Sequence, residues 1–416
     1  MTVASRCRRR WTTGFVALAL AAGCGPAMGQ GDATPGQRFE VRPSDMPPPF
    51  ATESARNPPR SIRLPRGTAP RVPPGFKANL FAEDLDHARW LAVAPDGAVF
   101  LAQSKPGVVT ILRDTDGDGV ADLIRPFVTG LARPHGLAFH QGQLYVADTK
   151  AVRRYPYESA LDGPAGPAET VTPGGALGSA SGHWTRNIAF GPDGLRFFVA
   201  IGSAGNIDVE PEPRATVQMF DKDGGGQKTF ASGLRNPVGI AFYPGTDDLY
   251  VVVNERDGMG DELVPDYLTR IEDGDFFGWP YAYIGDNPQP RLAELRPDLV
   301  AASRVPDVLF RSHSAPLGLV FYDGEQFPQE YRGDAFVALH GSWNAAEPRG
   351  YMVVRVPFED QRPLGHYEAF ATGFWAEGRD RARVWGRPVG LAVARDGSLL
   401  IADDVGDRIW RVSFEG

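Results

Sequence analysis

The sequence predicts an all-β protein, a six-bladed β-propeller of four-stranded antiparallel blades, on three observations. Six stretches read alike, they recur at the interval of one blade or more, and no segment carries a sustained helical period. The stretches are WLAVAPDGAVFLAQ from Trp90, HGLAFHQGQLYVAD from His135, NIAFGPDGLRFFVAIG from Asn187, VGIAFYPGTDDLYVVVNE from Val238, LGLVFYDG from Leu317 (resuming at Gly333), and VGLAVARDGSLLIADD from Val389. Each joins two short apolar runs through a Gly- or Asp-containing turn, the pattern of a β-hairpin. Anchored at Ala92, Ala138, Ala189, Ala241, Val320 and Ala392, they recur after 46, 51, 52, 79 and 72 residues. Strand-built repeats of that size point to propeller blades of roughly 40 to 50 residues.

A third apolar segment follows each hairpin, beginning at Val108, Ala151, Thr216, Tyr267, Tyr351 and Arg408. A fourth is visible where FVTGLARP (Phe127), FASGLRNP (Phe230) and FATGF (Phe370) lead back to the next hairpin. KANLFA from Lys77 precedes the first hairpin, whereas the last repeat stops at its third strand. The N-terminal strand is therefore expected to complete the last blade, closing the ring and removing exposed edges. The extra loop between Phe277 and Pro316, and between Phe327 and Pro388, is expected to shape the entrance to the central mouth.

The ends of the chain suggest export. Arg6, Arg8, Arg9 and Arg10 precede an apolar run from Trp11 to Ala22 that ends in small residues, the order of a bacterial signal peptide, and the run is too short to span a membrane. Residues 1–29 are therefore expected to be removed, leaving a periplasmic or secreted protein. LAAGC, ending at Cys24, loosely resembles a lipoprotein box and leaves a lipid anchor as the alternative. Cys7 and Cys24 are the only cysteines, so the mature domain has neither disulfide nor thiol catalysis. The formal charge of −8 becomes −12 once the four leader arginines are removed, which argues against nucleic acid as a partner. Residues 30–75, rich in Pro, Arg and Ser, read as an extended linker, with order expected from about Phe76 and the propeller occupying 76–416.

What precedes the innermost strands carries the chemistry. In a propeller those loops open onto one end of the central channel, and here they hold Arg133 and His135, His183 with Arg186 and Asn187, Arg235 with Asn236, His313 with Ser314, and Arg387. At the ends of the same hairpins lie Gln103, Asp148, Glu255 and HGSWN from His340 to Asn344. Arginines and histidines converging on one mouth repel each other, and the arrangement makes sense around a bound anion. Taken singly, each of these residues is more often structural: Arg133 and Arg235 could pair with carboxylates at the sheet edges. Trp184, Trp343 and Trp375 could stack on a sugar face, or simply pack.

In the succession GHWTRNIAFGPDG, GLRNPVGIAF, NERDGMGDEL with GWPYAY, LHGSWN and GRPVGLAVARDG, the chain resembles the quinoprotein glucose/sorbosone dehydrogenases. It looks most like their sorbosone dehydrogenase-like branch, over roughly Phe76 to Phe414. The resemblance implies a six-bladed propeller holding pyrroloquinoline quinone (PQQ) and Ca²⁺, a sugar or alcohol substrate, and an external acceptor such as a cytochrome or a quinone. It makes His183 the general base, kept neutral by nearby Arg186. It sets Arg235 and Asn236 against the quinone, with Arg235 stabilising the charge that develops there, and Arg387 against a cofactor carboxylate. It also brings Gln103 to the cofactor. Calcium would be held by main-chain carbonyls at Arg256 and Asp257, acting as a Lewis acid. Asp261 and Glu262 are left either to a second calcium or to capping the loop. Where the glucose-oxidising members place a lysine this chain has HGSWN, so His340 is the replacement.

DTDGDGVAD, from Asp114, has oxygen ligands at Asp114, Asp116, Asp118 and Asp122 with the spacing of an acidic calcium loop, but Arg125 stands where an EF-hand needs Glu. A structural calcium and a solvated turn are the two readings. No GxGxxG follows a strand, which argues against a nicotinamide cofactor. The competing functions are a Ca²⁺-dependent lactonase or hydrolase, with His183 as base, and a propeller that binds without chemistry.

Overall fold

Why four of the six repeats open with a glycine is visible in how their first strands pack. In this computed structural model, which describes residues 1–2 and 33–416, a Cβ on Gly318 would lie 2.1 Å from the Val389 carbonyl oxygen, and one on Gly390 would lie 2.7 Å from that of Arg89. Gly136 and Gly239 face neighbouring backbone in the same way. The glycine lets one innermost strand lie directly against the next. Bulges at Ala88/Trp90, Pro237/Ile240, Pro316/Leu319 and Pro388/Leu391 bend four of these strands at their start.

Six antiparallel sheets of four or more strands result among the described residues, each beginning with one repeat. Their innermost strands are Ala88–Val93, Gly136–His140, Arg186–Phe190, Asn236–Phe242, Pro316–Phe321 and Pro388–Val393. Each packs against the next, and the last against the first, so the sheets form a closed ring. The third sheet gains Asp275–Phe276 as a parallel outer strand, and the fifth gains Arg38–Phe39 at its outer edge. In the sixth, Phe76–Ala82 pairs with Arg408–Phe414 from Phe76↔Phe414 through Leu80↔Trp410, so both ends of the ring meet in one sheet, as the sequence led us to expect.

The core lies between neighbouring sheets, because each strand alternates side chains to both faces. Phe76, Phe327, Tyr331, Phe370 and Phe414 meet mostly edge to face near the closure, and buried Trp410 packs on Trp385. Truncating one such ring to Ala costs about 3–5 kcal/mol. Helix is confined, among the described residues, to Pro297–Ala302 and three 3₁₀ turns. No helix of these residues is long and apolar enough to cross a membrane.

One expectation needs correction. Residues 33–75 are extended, but they are docked rather than free, and order begins well before Phe76. Arg60–Ser61 runs parallel to Arg383–Val384, Arg71 bridges Thr372, and Arg38–Phe39 extends the fifth sheet. A Pro-rich extended chain has unpaired main-chain groups, and an open sheet edge offers partners for them; composition reports the missing apolar period but not that edge. The leader, with Cys7 and Cys24, lies outside the described residues except for Met1 and Thr2.

Candidate functional site

A cavity of about 480 Å³ lies at the end of the ring where the innermost strands begin. His183, Arg235, Asn236, His340 and Arg387, taken from four sheets and the loops that enter them, line it together with Asp257. Antiparallel hairpins explain the convergence: the start of a first strand and the end of a second strand fall on the same rim.

His183 is fixed at one ring nitrogen. Nδ1 lies 3.0 Å from the Ser203 carbonyl oxygen and 2.9 Å from Ser203 Oγ. A carbonyl can only accept, so Nδ1 carries the proton and Nε2 is left with its lone pair. Burial, and then the Arg235 charge, lower the His183 pKa to about 4, which keeps the ring neutral at ordinary pH. The Asp257 charge opposes this shift, and the second positive charge acting on the ring is that of Arg214, not Arg186. A Cβ on Gly202 would lie 2.3 Å from Asn236 Oδ1 and 2.6 Å from His183 Cβ, so glycine there lets both side chains reach the cavity wall. Thr185 Oγ1 donates to Asn236 Oδ1 at 3.2 Å.

Arg235 is held by main chain: Nε donates to the Asn206 carbonyl at 3.1 Å and Nη1 to that of Glu255 at 2.8 Å, while Nη2 lies 3.4 Å from Asp257 Oδ2. Asp257 also takes Asn344 Nδ2 at 2.7 Å and lies 3.4 Å from His313 Nδ1. Burial opposes protonation of His313, but its hydrogen bond to Asp257 and the charge of Asp266 outweigh it and raise the pKa. Arg387 donates from Nε to the His340 carbonyl at 2.8 Å and from Nη2 to that of Gly341 at 2.5 Å.

Beside Arg387 stands a buried network through Arg89 and Asp404, two residues the sequence did not single out. Asp404 accepts from Arg89 Nη1 at 2.6 Å and from His340 Nε2 at 2.8 Å. Burial, then the Arg387 charge, lower the His340 pKa to about 4; the imidazole is therefore neutral and gives its Nε2 proton to an ionised Asp404. Arg89 stands three residues before its repeat anchor, as Arg186 does, whereas the residue equivalent to Asp148 is Asp403, with Asp404 one position beyond it. Aligning the repeats position by position would have found Arg89 but not Asp404. Nothing local marks Asp266, a third cavity acid whose pKa burial raises to about 6.

Several expected residues sit elsewhere. Gln103 is bound within its own sheet, Nε2 to the Asp86 carbonyl and Oε1 from Thr110 Oγ1, and does not line the cavity. Arg186 is fully buried beneath it, donating to the carbonyls of Thr185 and Ser179. His135 is enclosed by Trp90 and Trp184, Asp148 pairs with Arg153, and Trp375 is buried with its indole N–H on the Glu377 and Gly378 carbonyls. Trp184 and Trp343 do line the cavity.

The metal expectations divide. Asp261 and Glu262 both bind Arg349, at 2.8 Å and 3.0 Å; a guanidinium already fills the place of a second calcium, so these two do not fit one. The Asp257 carbonyl is taken by Asn206 Nδ2 and by the folded-back Arg256 guanidinium. Glu255 does present a donor: it is buried, it lines the cavity, and its Oε1 has no hydrogen-bond partner among the described residues. Burial raises its pKa to about 7. At the opposite end of the ring, Asp114, Asp116 and Asp122 gather within 4.8 Å, while Asp118 stays out and bonds the Val120 N–H. Asp114 caps the N–H groups of Gly117 and Gly119, and Asp122 those of Thr115, so the exposed turn is closed by its own backbone.

Comparison with known proteins agrees with this picture. An uncharacterized protein of Borreliella burgdorferi is 26% identical over 372 residues, covering 83% of this chain and 91% of that protein. The pyrroloquinoline quinone-dependent pyranose dehydrogenase of Coprinopsis cinerea is 27% identical over 298 residues, 55% of this chain, which spans only 39% of that longer protein. The solved holo PQQ domain of pyranose dehydrogenase from Coprinopsis cinerea shares the fold, with a TM-score of 0.72 at 21% identity, covering 86% of this chain and 99% of that domain. The TrAA12-like family model matches residues 70–267 and 298–415, and the chain therefore belongs to the TrAA12-like family.

Proposed function

We propose that the six sheets are the blades of a six-bladed β-propeller and that the cavity is the active site of an exported quinoprotein dehydrogenase. Its substrate is an aldose, a sorbosone-like sugar or a related alcohol or aldehyde, its cofactors are PQQ and Ca²⁺, and its electrons leave to an external acceptor such as a cytochrome or a quinone. The observation that carries this reading is the neutral His183, locked by Ser203 with Nε2 as its basic nitrogen, in a cavity lined by Arg89, Arg235 and Arg387.

The residues suit these cofactors. PQQ carries three carboxylates and two quinone oxygens, and three arginines match such an acid. Among the buried polar atoms without a partner are one donor, Arg89 Nε, and one acceptor, Glu255 Oε1, both on cavity-lining residues. Arg89, Arg235 and Arg387 would hold the quinone; Glu255, through its unpartnered Oε1, would hold the cation. When bound, PQQ supplies a two-electron acceptor and Ca²⁺ a Lewis acid that polarises it.

This chain's residues supply the rest. His183 Nε2 takes the substrate hydroxyl proton as the carbon gives up hydride, and the Nδ1–Ser203 bond keeps the ring in the required tautomer. Arg235 is immobilised on carbonyls, so its charge is in place before negative charge develops and needs no reorganisation. His340, neutral and tied to Asp404, fixes the loop that lies beside Arg387.

The test is an absorbance titration of purified protein with PQQ and Ca²⁺, then reduction of dichlorophenolindophenol with a panel of aldoses. Binding and aldose-dependent reduction are expected, and a protein that does not bind the quinone would sink the proposal. Ca²⁺-dependent lactone hydrolysis indifferent to quinone would favour a lactonase.

A further inference from the structure

We infer that the extended segment Phe50–Pro59 is part of the site and that Asn57 is a positioning residue for the cavity wall that meets the sugar. The inference rests on the reading of the cavity as a sugar-oxidising site. This segment precedes residue 70, where the family match begins.

Its contacts fall on two loops that frame the cavity. On the loop after Leu249–Asn254, the Phe50 N–H donates to the Met259 carbonyl at 2.8 Å, Thr52 Oγ1 accepts the Asp261 N–H at 2.8 Å, and Ser54 Oγ accepts the Gly260 N–H at 3.2 Å. A Cβ on Gly260 would lie 3.0 Å from Thr52 Oγ1, so the segment lies flush against that loop. On the loop after Ala335–Leu339, the Asn57 N–H donates to the Trp343 carbonyl at 2.8 Å. Asn57 Nδ2 reaches three more carbonyls, those of Ala345 at 3.2 Å, Ala346 at 3.1 Å and Asp380 at 2.6 Å. The two loops are also joined directly, Asn344 to Asp257 and the Ala346 N–H to Asp261 Oδ1 at 2.6 Å.

Trp343 gives this clamp its meaning. It lines the cavity with 47% of its surface exposed, so packing covers only about half of it. An aromatic face turned to solvent at a cavity wall suits the C–H face of a sugar ring, but only when its backbone is fixed. Asn57 fixes it with main-chain and side-chain bonds to one short stretch. Thr52 and Ser54 are exposed, so this part of the segment orders loops rather than building core. Asn57 therefore acts on substrate binding through Trp343, with the base and the arginines left in place.

The experiment compares full-length wild type with Asn57→Ala, and with Thr52→Val, which removes one acceptor at an exposed position and does not endanger folding. Hydrogen exchange read by mass spectrometry is expected to quicken by roughly tenfold or more, in 340–347 for Asn57→Ala and in 257–263 for Thr52→Val. In quinone-loaded Asn57→Ala, KM for the sugar is expected to rise roughly tenfold with kcat within about twofold, and quinone affinity by absorbance within about threefold. Unchanged exchange in both variants overturns the inference, as does a fall in kcat without a rise in KM. If wild type neither binds quinone nor oxidises sugar, the functional reading fails, while the exchange measurement still decides whether the segment orders these loops. Should Asn57→Ala fail to fold, exchange and KM in Thr52→Val decide the matter.

Discussion

The two ends of the ring gather charge in opposite ways. At one end, Asp114, Asp116 and Asp122 come from a single turn, all exposed, and mostly bond their own backbone. At the other, His183, Arg235, His340, Arg387 and Arg89 come from different sheets and are largely buried, with their remaining polar atoms turned to a shared cavity. A turn that satisfies itself needs nothing else to be stable. A ring of buried cations and neutral imidazoles carries a desolvation cost that a complementary ligand offsets. Clustered charge thus supports a functional claim at one end and not at the other.

That contrast can be broken from the cavity side first. His183→Ala is expected to lower kcat by roughly 10³-fold or more while quinone affinity stays within about tenfold, because the base acts in the transition state; stopped-flow dye reduction and absorbance titration separate the two. Arg235→Ala is expected to weaken quinone binding by roughly 100-fold and to lower kcat as well, since Asp257 loses a partner and the cavity loses a fixed positive charge. The same titration shows it.

The pH profile sharpens the contrast further. His183 works as the neutral ring, and its pKa lies near 4 instead of the ordinary 6.5. The acid limb of kcat/KM assigned to this base is therefore expected near pH 4, with no loss at pH 6.5, where an ordinary imidazole would already be half protonated. A limb at 6.5 that vanishes in His183→Ala would show that the ring is not desolvated. The smallest effect belongs to the far end: Asp114→Asn with Asp116→Asn is expected to leave dye reduction within about twofold and to move Tm by no more than about 3 °C. A large loss of turnover there would erase the distinction between the ends.

Much of the architecture was legible because it is local. Hairpins, their Gly turns and the third strands follow from alternation and punctuation within some twenty residues, and the terminal strand pairing followed from counting strands in the last repeat. The repeat also marked which loops share a rim, and those loops carry His183, Arg235, Asn236, His340 and Arg387. Gln103 and Arg186 satisfied the same rule yet turned inward, since a residue at a strand end has two faces available and the neighbouring groups decide between them. For Asp261 and Glu262, the deciding neighbour was Arg349, some 90 residues on and invisible to any local motif.

By itself, then, the sequence determined the strand pattern, the periodic glycines and the set of polar residues delivered to one end of the ring, all properties of neighbours along the chain. Tertiary structure alone decided which of those residues remain open to a ligand and which are consumed in pairs. It also decided that Asp404 joins Arg89 to His340, and that residues 33–75 dock as extra strands with Asn57 against the Trp343 loop. Hydrogen bonds and desolvation depend on distances between residues far apart in the chain, and only the packed ring sets those distances.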